Sequence, residues 1–347
     1  MFVSYARPHP GPLPQERENR SLVSGVAQPA RDSTIFTSES PANGDRHSGQ
    51  RIISDAQLLS PLPGGEGQGE GERSAKPFSF FTNAITALRQ HWPEYLIEAA
   101  CLGVFMVSAG VFTALLEYPN SSAHSAIPND FTRLALNGLA MGLTAIAIIY
   151  SPWGARSGAH MNPAVTWTFF RLGKVKPWDA LFYPIFQTLG GVTGVLLVKL
   201  TLGRIFTETP VNYVVTVPGK PGVTTALIAE TAIACGMMLM VLFMTNTPKL
   251  ARFTGLCGGA LVFLYITFEA PLSGMSINPA RTVASAWPSG VWTAGWIYFV
   301  APIGGMLLAV EIYRALRKSA QVACAKWNHD PRQRCIFCGQ PGQHPDG

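Results

Sequence analysis

Apolar residues run in long unbroken stretches through most of this chain, and polar ones are confined to its ends and to short breaks between the stretches. Six stretches, near 94–116, 134–152, 178–201, 223–246, 253–271 and 292–314, each approach the ~20 residues that a helix needs to cross ~30 Å of hydrocarbon. They predict six transmembrane helices and an all-α membrane protein. Two shorter apolar pieces, 163–171 and 279–287, differ in kind. A helix of about ten residues rises only ~15 Å, half of a bilayer. Short Gly/Pro-interrupted segments at matching places in two halves predict an inverted repeat, with re-entrant half-helices that meet near the midplane. The halves span about 90–201 and 223–317.

The ends read differently. Residues 1–77 contain Pro- and Gly-rich runs at 10–14 and 60–72 with little apolar periodicity, which predicts a disordered low-complexity extension ahead of a folded part at 78–317. Met1 to Pro10 has no apolar core of the kind a secretory signal carries. Charged residues are only 13% of the chain, and the formal net charge is +6. Arg156, Arg171, Lys174 and Lys176 follow the second stretch and its short piece, Lys249 and Arg252 the fourth, and Arg314, Arg317 and Lys318 the sixth. The opposite loops hold Arg133, Arg204 and Lys220 over longer segments. This asymmetry predicts a multi-pass protein of the plasma (inner) membrane with both termini cytoplasmic. Topology thus accounts for the basic excess, and no soluble surface carries enough cations to bind nucleic acid.

The breaks before the two short pieces carry one frame twice. Residues 157–166 and 273–282 both read Ser-Gly-x-x-x-Asn-Pro-Ala-x-Thr. Alone, Asn-Pro-Ala is a helix cap followed by proline at the first helical position; repetition at corresponding places is hard to obtain by chance. In hydrocarbon an unwound segment survives only where protein or a water-filled cavity receives its polar groups. The segments at Gly158, Ala159 and His160 and at Gly274, Met275 and Ser276 are therefore expected to be extended, with their carbonyls (those of Gly158, Ala159, His160, Gly274 and Ser276) aligned along a pore wall. Asn162 and Asn278 would cap the half-helices and offer amide donors to the lumen, and Pro163 and Pro279 fit at the first helical position, ahead of Ala164 and Ala280. Two helix N-termini facing the pore centre would oppose cations and protons, giving a single-file conduit for neutral molecules.

These motifs resemble those of the aquaporins, the major intrinsic proteins, over roughly residues 90–317. The resemblance implies an aquaporin-like right-handed bundle of six tilted helices and two half-helices, one pore per protomer, a homotetramer and passive water conduction. Arg281, three residues past Asn278, stands where the family's selectivity arginine stands, which implies that it donates to permeating solute and repels cations. A charged residue in a membrane segment is a functional candidate by default, the bland alternative being an arginine that snorkels to the interface. The resemblance gives Glu98 and Glu230, read as opening the first helix of each half, a structural role in bracing the loops from behind. It also places Met141, Ile266 and Met275 beside Arg281 in the constriction. Met141 falls where water-selective members have phenylalanine, and Ile266 replaces their histidine, leaving a largely apolar ring with one arginine. Thr282 in place of the glycerol facilitators' aspartate, Ala286, and Tyr298-Phe299 ahead of Pro302 resemble the water-channel pattern. The expectation is a water channel that also passes small neutral solutes such as ammonia, hydrogen peroxide or a metalloid hydroxide. A broader facilitator for glycerol and urea is the alternative.

Other classes fit less well. A secondary transporter on inverted repeats would need a titratable residue at the midplane, and this reading finds no aspartate in the helices and only the two glutamates at helix starts. An enzyme is not expected, because no nucleophile–base–orienter set or phosphate loop accompanies the apolar core. Cys101, Cys235 and Cys257 lie in apolar stretches and read as small buried hydrophobes. No cofactor is needed for a pore. The tail 318–347, however, offers Cys324, Cys335 and Cys338 with His329 or His344 as tetrahedral zinc ligands. A redox pair or an unstructured end fits the same residues, and a metal-regulated membrane sensor is a third class of function.

Overall fold

The computed structural model describes residues 77–317 and 322–340. The expectations for the N-terminal extension and for His344 lie outside the described residues. The described part contains helices and turns and no β-strand. Eight helices carry the architecture: α1 (Pro77–Glu117), α2 (Asp130–Tyr150), α3 (Pro163–Arg171), α4 (Pro177–Leu202), α5 (Val223–Thr245), α6 (Thr254–Leu264), α7 (Pro279–Ser289) and α8 (Ile297–Leu316). α6 continues through one π-helical turn, Tyr265–Glu269, into a short helix, Ala270–Ser273. Six helices, counting the 251–273 run as one, are long and apolar enough to cross a bilayer, and α3 and α7 are the two short ones.

Long helices approach closely where side chains are small, as expected when lipid removes the usual hydrophobic drive between helices. α1 packs along α4, and a β-carbon on Gly190 would overlap the Ala99 carbonyl oxygen. The second half repeats the device between α5 and α8, where Gly305 meets the Thr231 carbonyl. Across the halves, α2 and α6 cross at Gly142 and Gly259, each of which has the other's carbonyl oxygen 2.5–2.6 Å from where its β-carbon would stand. Ser108 and Thr144 add a hydroxyl pair at 2.7 Å between α1 and α2.

The short helices are exchanged between halves. α3, from the first half, packs Val165 and Phe169 with Met238 and Leu242 of α5 and Tyr313 of α8. α7, from the second, packs Ala280 and Ala284 with Leu102 and Met106 of α1 and Val195 and Val198 of α4. Outward faces are apolar, with Leu96, Val104, Leu143, Leu189, Leu200, Ile228 and Val300 exposed. Four exposed tryptophans lie near helix ends, Trp153 toward one face and Trp287, Trp292 and Trp296 toward the other, as in interfacial belts.

Three expectations are corrected. Glu98 does not open a helix: α1 begins at Pro77 and carries Glu98 at mid-length, because the polar residues ahead of it have partners. His91 pairs with Asp179 at 2.7 Å, Tyr95 donates to the same carboxylate at 2.6 Å, and Glu94 meets Arg156 at 3.1 Å. Asp179 is also a buried aspartate inside a helix, and Glu94, Glu117 and Glu269 join Glu98 and Glu230 as buried acids. Lastly, the segments ahead of the half-helices are not extended. Gly158, Ala159 and Met161 in one, and Gly274, Met275 and Ile277 in the other, have positive φ. These left-handed turns point the N–H groups of His160 and Met161, and of Ser276 and Ile277, back into the protein.

Candidate functional site

Each position of the repeated frame has a physical task, and both copies perform it alike. The serine hydroxyls of Ser157 and Ser273 donate to Glu98 and Glu230 at 2.8 and 3.0 Å. The glycines Gly158 and Gly274 follow in left-handed geometry, φ 101° and 86°, which a side chain would resist. Next, the backbone N–H groups of His160 and Met161 donate to Glu98 at 3.0 and 2.6 Å, and those of Ser276 and Ile277 to Glu230 at 2.6 and 2.7 Å. Asn162 and Asn278 cap α3 and α7 by accepting from the N–H of Ala164 at 2.9 Å and of Ala280 at 3.0 Å. The terminal threonines close the loops: Thr166 Oγ1 lies 3.0 Å from His160 Nδ1, and Thr282 Oγ1 2.5 Å from Ser276 Oγ. Behind each loop a tyrosine hydroxyl, Tyr183 or Tyr298, donates to the carbonyl of Ser157 or Ser273 at 2.8 or 2.5 Å.

The two tips are tied to each other. Asn162 Nδ2 donates to the Ile277 carbonyl and Asn278 Nδ2 to the Met161 carbonyl, both at 2.7 Å. One amide hydrogen of each asparagine is therefore used across the repeat, and only the second is left for the lumen.

A cavity of about 130 Å³ lies against these tips, room for roughly four waters at ~30 Å³ each. Its lining follows helix faces at intervals of three and four residues: Leu134, Asn137, Met141, Ala145 and Ile149 on α2, Leu102, Phe105, Ala109 and Thr113 on α1, and Gly258, Val262 and Ile266 along α6 and its π turn. The α2 stripe alone covers about 22 Å of helix axis at 1.5 Å per residue. The void is therefore elongated along the bundle. Asn162 and Asn278 line it, and so do Met141, Ile266, Met275 and Arg281, contributed by α2, the π turn, a loop and α7. Arg281 Nη1 is buried and has no hydrogen-bond partner among the described residues. Gly274, His160 and Ser276 reach the same wall.

Three contributors escape sequence reasoning. Val214 comes from a loop turn with left-handed residues at 212–214 and no motif. The π turn carrying Ile266 has no sequence marker, although such turns recur at functional sites. The third is Trp327, from the tail, which lines the cavity beside Gly258. Of the tail residues, Cys324, His329, Cys335 and Cys338 come together, with all ligand atoms within 4.8 Å of one another.

Comparison with known proteins agrees with this geometry. The profile of the family described as Major intrinsic protein matches residues 85–313. Aquaporin NIP2-3 of Zea mays is 34% identical over 230 residues, covering 65% of this chain and 73% of the relative. Aquaporin NIP2-1 of the same plant is 30% identical over 253 residues, 72% of this chain and 80% of the relative. Among solved structures, the aquaglyceroporin from Plasmodium falciparum aligns over 64% of this chain and 95% of its own with a TM-score of 0.52; at 21% identity it speaks for the fold alone. With two interlocked half-helices, a cavity along the bundle and a profile match over most of the folded part, this chain belongs to the major intrinsic protein family of membrane channels.

Proposed function

We propose that this protein is a passive pore that conducts water in single file and also admits other small neutral solutes. It would do so as a homotetramer in the plasma membrane with both termini cytoplasmic, and it catalyses no reaction. The observation that carries the reading is the cavity lining: a largely apolar wall on which the Asn162 and Asn278 amides and the Arg281 guanidinium are the donors at the half-helix tips. Apolar walls hold water weakly and let it move. Paired amide donors at one point orient each passing oxygen the same way and interrupt proton relay, while two helix N-termini and Arg281 oppose cations. Glu98 and Glu230 hold the loops and carry no protons in this reading.

The ring of Met141, Ile266, Met275 and Arg281 supports a broader solute range than water alone. It has one hydrogen-bonding side chain, and methionines adapt to what passes them. The relatives carry the name aquaporin and the solved neighbour the name aquaglyceroporin, which supports a conduit of this kind.

The test is stopped-flow light scattering on proteoliposomes, with osmotic water flux compared with glycerol and urea uptake. Water flux well above protein-free vesicles, with measurable glycerol entry, is expected. Ile266→His should retain water flux and cut glycerol entry roughly tenfold, because a second polar side chain narrows the ring. Flux at the protein-free level in every form, including Trp327→Ala, which clears one end of the cavity, would overturn the proposal.

A further inference from the structure

The tail is folded against the bundle, and its chemistry has no place in a simple pore. Cys324 Sγ and Cys335 Sγ lie 3.4 Å apart, and His329 Nε2 and Cys338 Sγ 3.3 Å apart. A sulfur pair at that separation is not a disulfide, whose bond is about 2.05 Å. It approaches instead the edge of a tetrahedron around zinc, about 3.8 Å for two sulfurs at 2.3 Å from the metal. The backbone has the form such a site needs. Gly339, with φ 78°, follows Cys335-Ile336-Phe337-Cys338 and its N–H donates to the Cys335 carbonyl at 3.0 Å, while the N–H groups of Phe337 and Cys338 are directed at the Cys335 sulfur. Three thiolates and one imidazole suit a zinc-class cation over magnesium or calcium, which prefer oxygen. Their net charge with Zn²⁺ is −1, and the Lys326 ammonium lies nearby.

The loop between these ligands enters the end of the pore. The Ala325 carbonyl oxygen accepts from His160 Nε2 at 2.6 Å, and the imidazole is stacked between Phe169 and Phe337. Lys326, 2% exposed, donates to the Ala155 carbonyl at 2.7 Å, and the Trp327 N–H donates to the Gly158 carbonyl at 3.3 Å. The Trp327 ring lies against Gly258, with its nearest atom 2.5 Å from where a β-carbon would stand, and forms part of the cavity wall. Arg334 donates to the Gln90 carbonyl on the long start of α1 at 3.0 Å. Residues 322–340 contain turns and no helix or strand of their own, so the four ligands are the natural cross-link for the loop.

We infer that Cys324, His329, Cys335 and Cys338 bind a zinc-class divalent cation, and that the metal clips the tail into a plug whose Trp327 narrows this end of the pore. Metal removal loosens the loop and widens the channel. The gating half of this inference rests on the conduction reading above; the metal half does not.

The experiment uses the full-length chain, purified with zinc and reconstituted. Elemental analysis is expected to find one zinc per chain, lost in the Cys335→Ser/Cys338→Ser double variant. A membrane-permeant zinc chelator should raise water permeability several-fold, and excess zinc should restore the lower value. Trp327→Ala guards against simple misfolding: it should retain zinc yet conduct as the chelated protein does. Zinc below stoichiometry in wild type, unchanged by the double variant, would overturn the site. Bound zinc with equal permeability in loaded, chelated and Trp327→Ala protein would overturn the gate while leaving conduction standing. Narrowing relieved by a thiol reductant and not by the chelator would overturn the metal in favour of a Cys324–Cys335 disulfide. If no form conducts, the conduction reading falls, and the gate with it, whereas zinc content still decides the site.

Discussion

Glu98 is fully buried, yet its two oxygens accept four hydrogen bonds, from Ser157 Oγ, the N–H groups of His160 and Met161, and Gln187 Nε2. Glu230 accepts three, from Ser273 Oγ and the N–H groups of Ser276 and Ile277. A buried carboxylate so supplied is held as an acceptor, and left-handed residues such as Ala159 and Met275 can persist because these bonds over-determine the loop. In Glu98→Gln one oxygen becomes a donor facing other donors, at a cost of about 1–3 kcal/mol for each donor orphaned. The expected result is a lower thermal midpoint in detergent, matched by Glu230→Gln; unchanged midpoints in both would show that the carboxylates do not hold the loops. The frame itself was legible in the sequence because every member has a local task. The backbone handedness was not, since Ala159, Met161, Met275 and Ile277 give no hint of positive φ in the way a glycine does.

Helix packing supplies the next level of argument. Gly190 lies where α1 and α4 touch, and Gly304 on α8 has nothing within 4 Å of its missing β-carbon. Gly190→Ala should force the helices apart and cost on the order of 1–3 kcal/mol or more, whereas Gly304→Ala should be neutral or stabilising by up to about 1 kcal/mol from helix propensity. Fluorescence-detected size exclusion after heating separates the two; equal survival would mean that α1 and α4 yield at no cost. Apolar run length located the six long helices and both half-helices well. It failed at the start of α1, which it placed near residue 94, because His91 and Glu94 interrupt the apolar run although Asp179 and Arg156 lie there to meet them. It also missed the π turn at Tyr265–Glu269, which aims Ile266 without altering the pattern of apolar residues.

For the whole molecule, the distribution of basic residues bears on the proposed orientation. Arg156, Arg171, Lys174, Lys176, Lys249, Arg252, Arg314 and Arg317 all fall on loops or helix ends of the tail-bearing face. By the positive-inside rule this is the face that the proposed topology puts in the cytoplasm. A C-terminal fluorescent-protein fusion should therefore glow and an alkaline phosphatase fusion at the same site stay inactive; the reverse pattern would invert the topology. The docking of the tail could not be read from the sequence, because the contacts of Lys326 with Ala155 and of Arg334 with Gln90 join residues 171 and 244 positions apart. The reciprocal amide bonds at the pore centre have a further consequence, in time. Asn162 awaits a carbonyl on Ile277, 115 residues downstream, and α3 awaits the helices of the second half. At about 5–20 residues per second of synthesis, the first half stands in the bilayer on the order of ten seconds with a polar tip and no acceptor. The nascent protein is thus most exposed to misfolding midway through its own translation, and completion of the second half is what ends that interval.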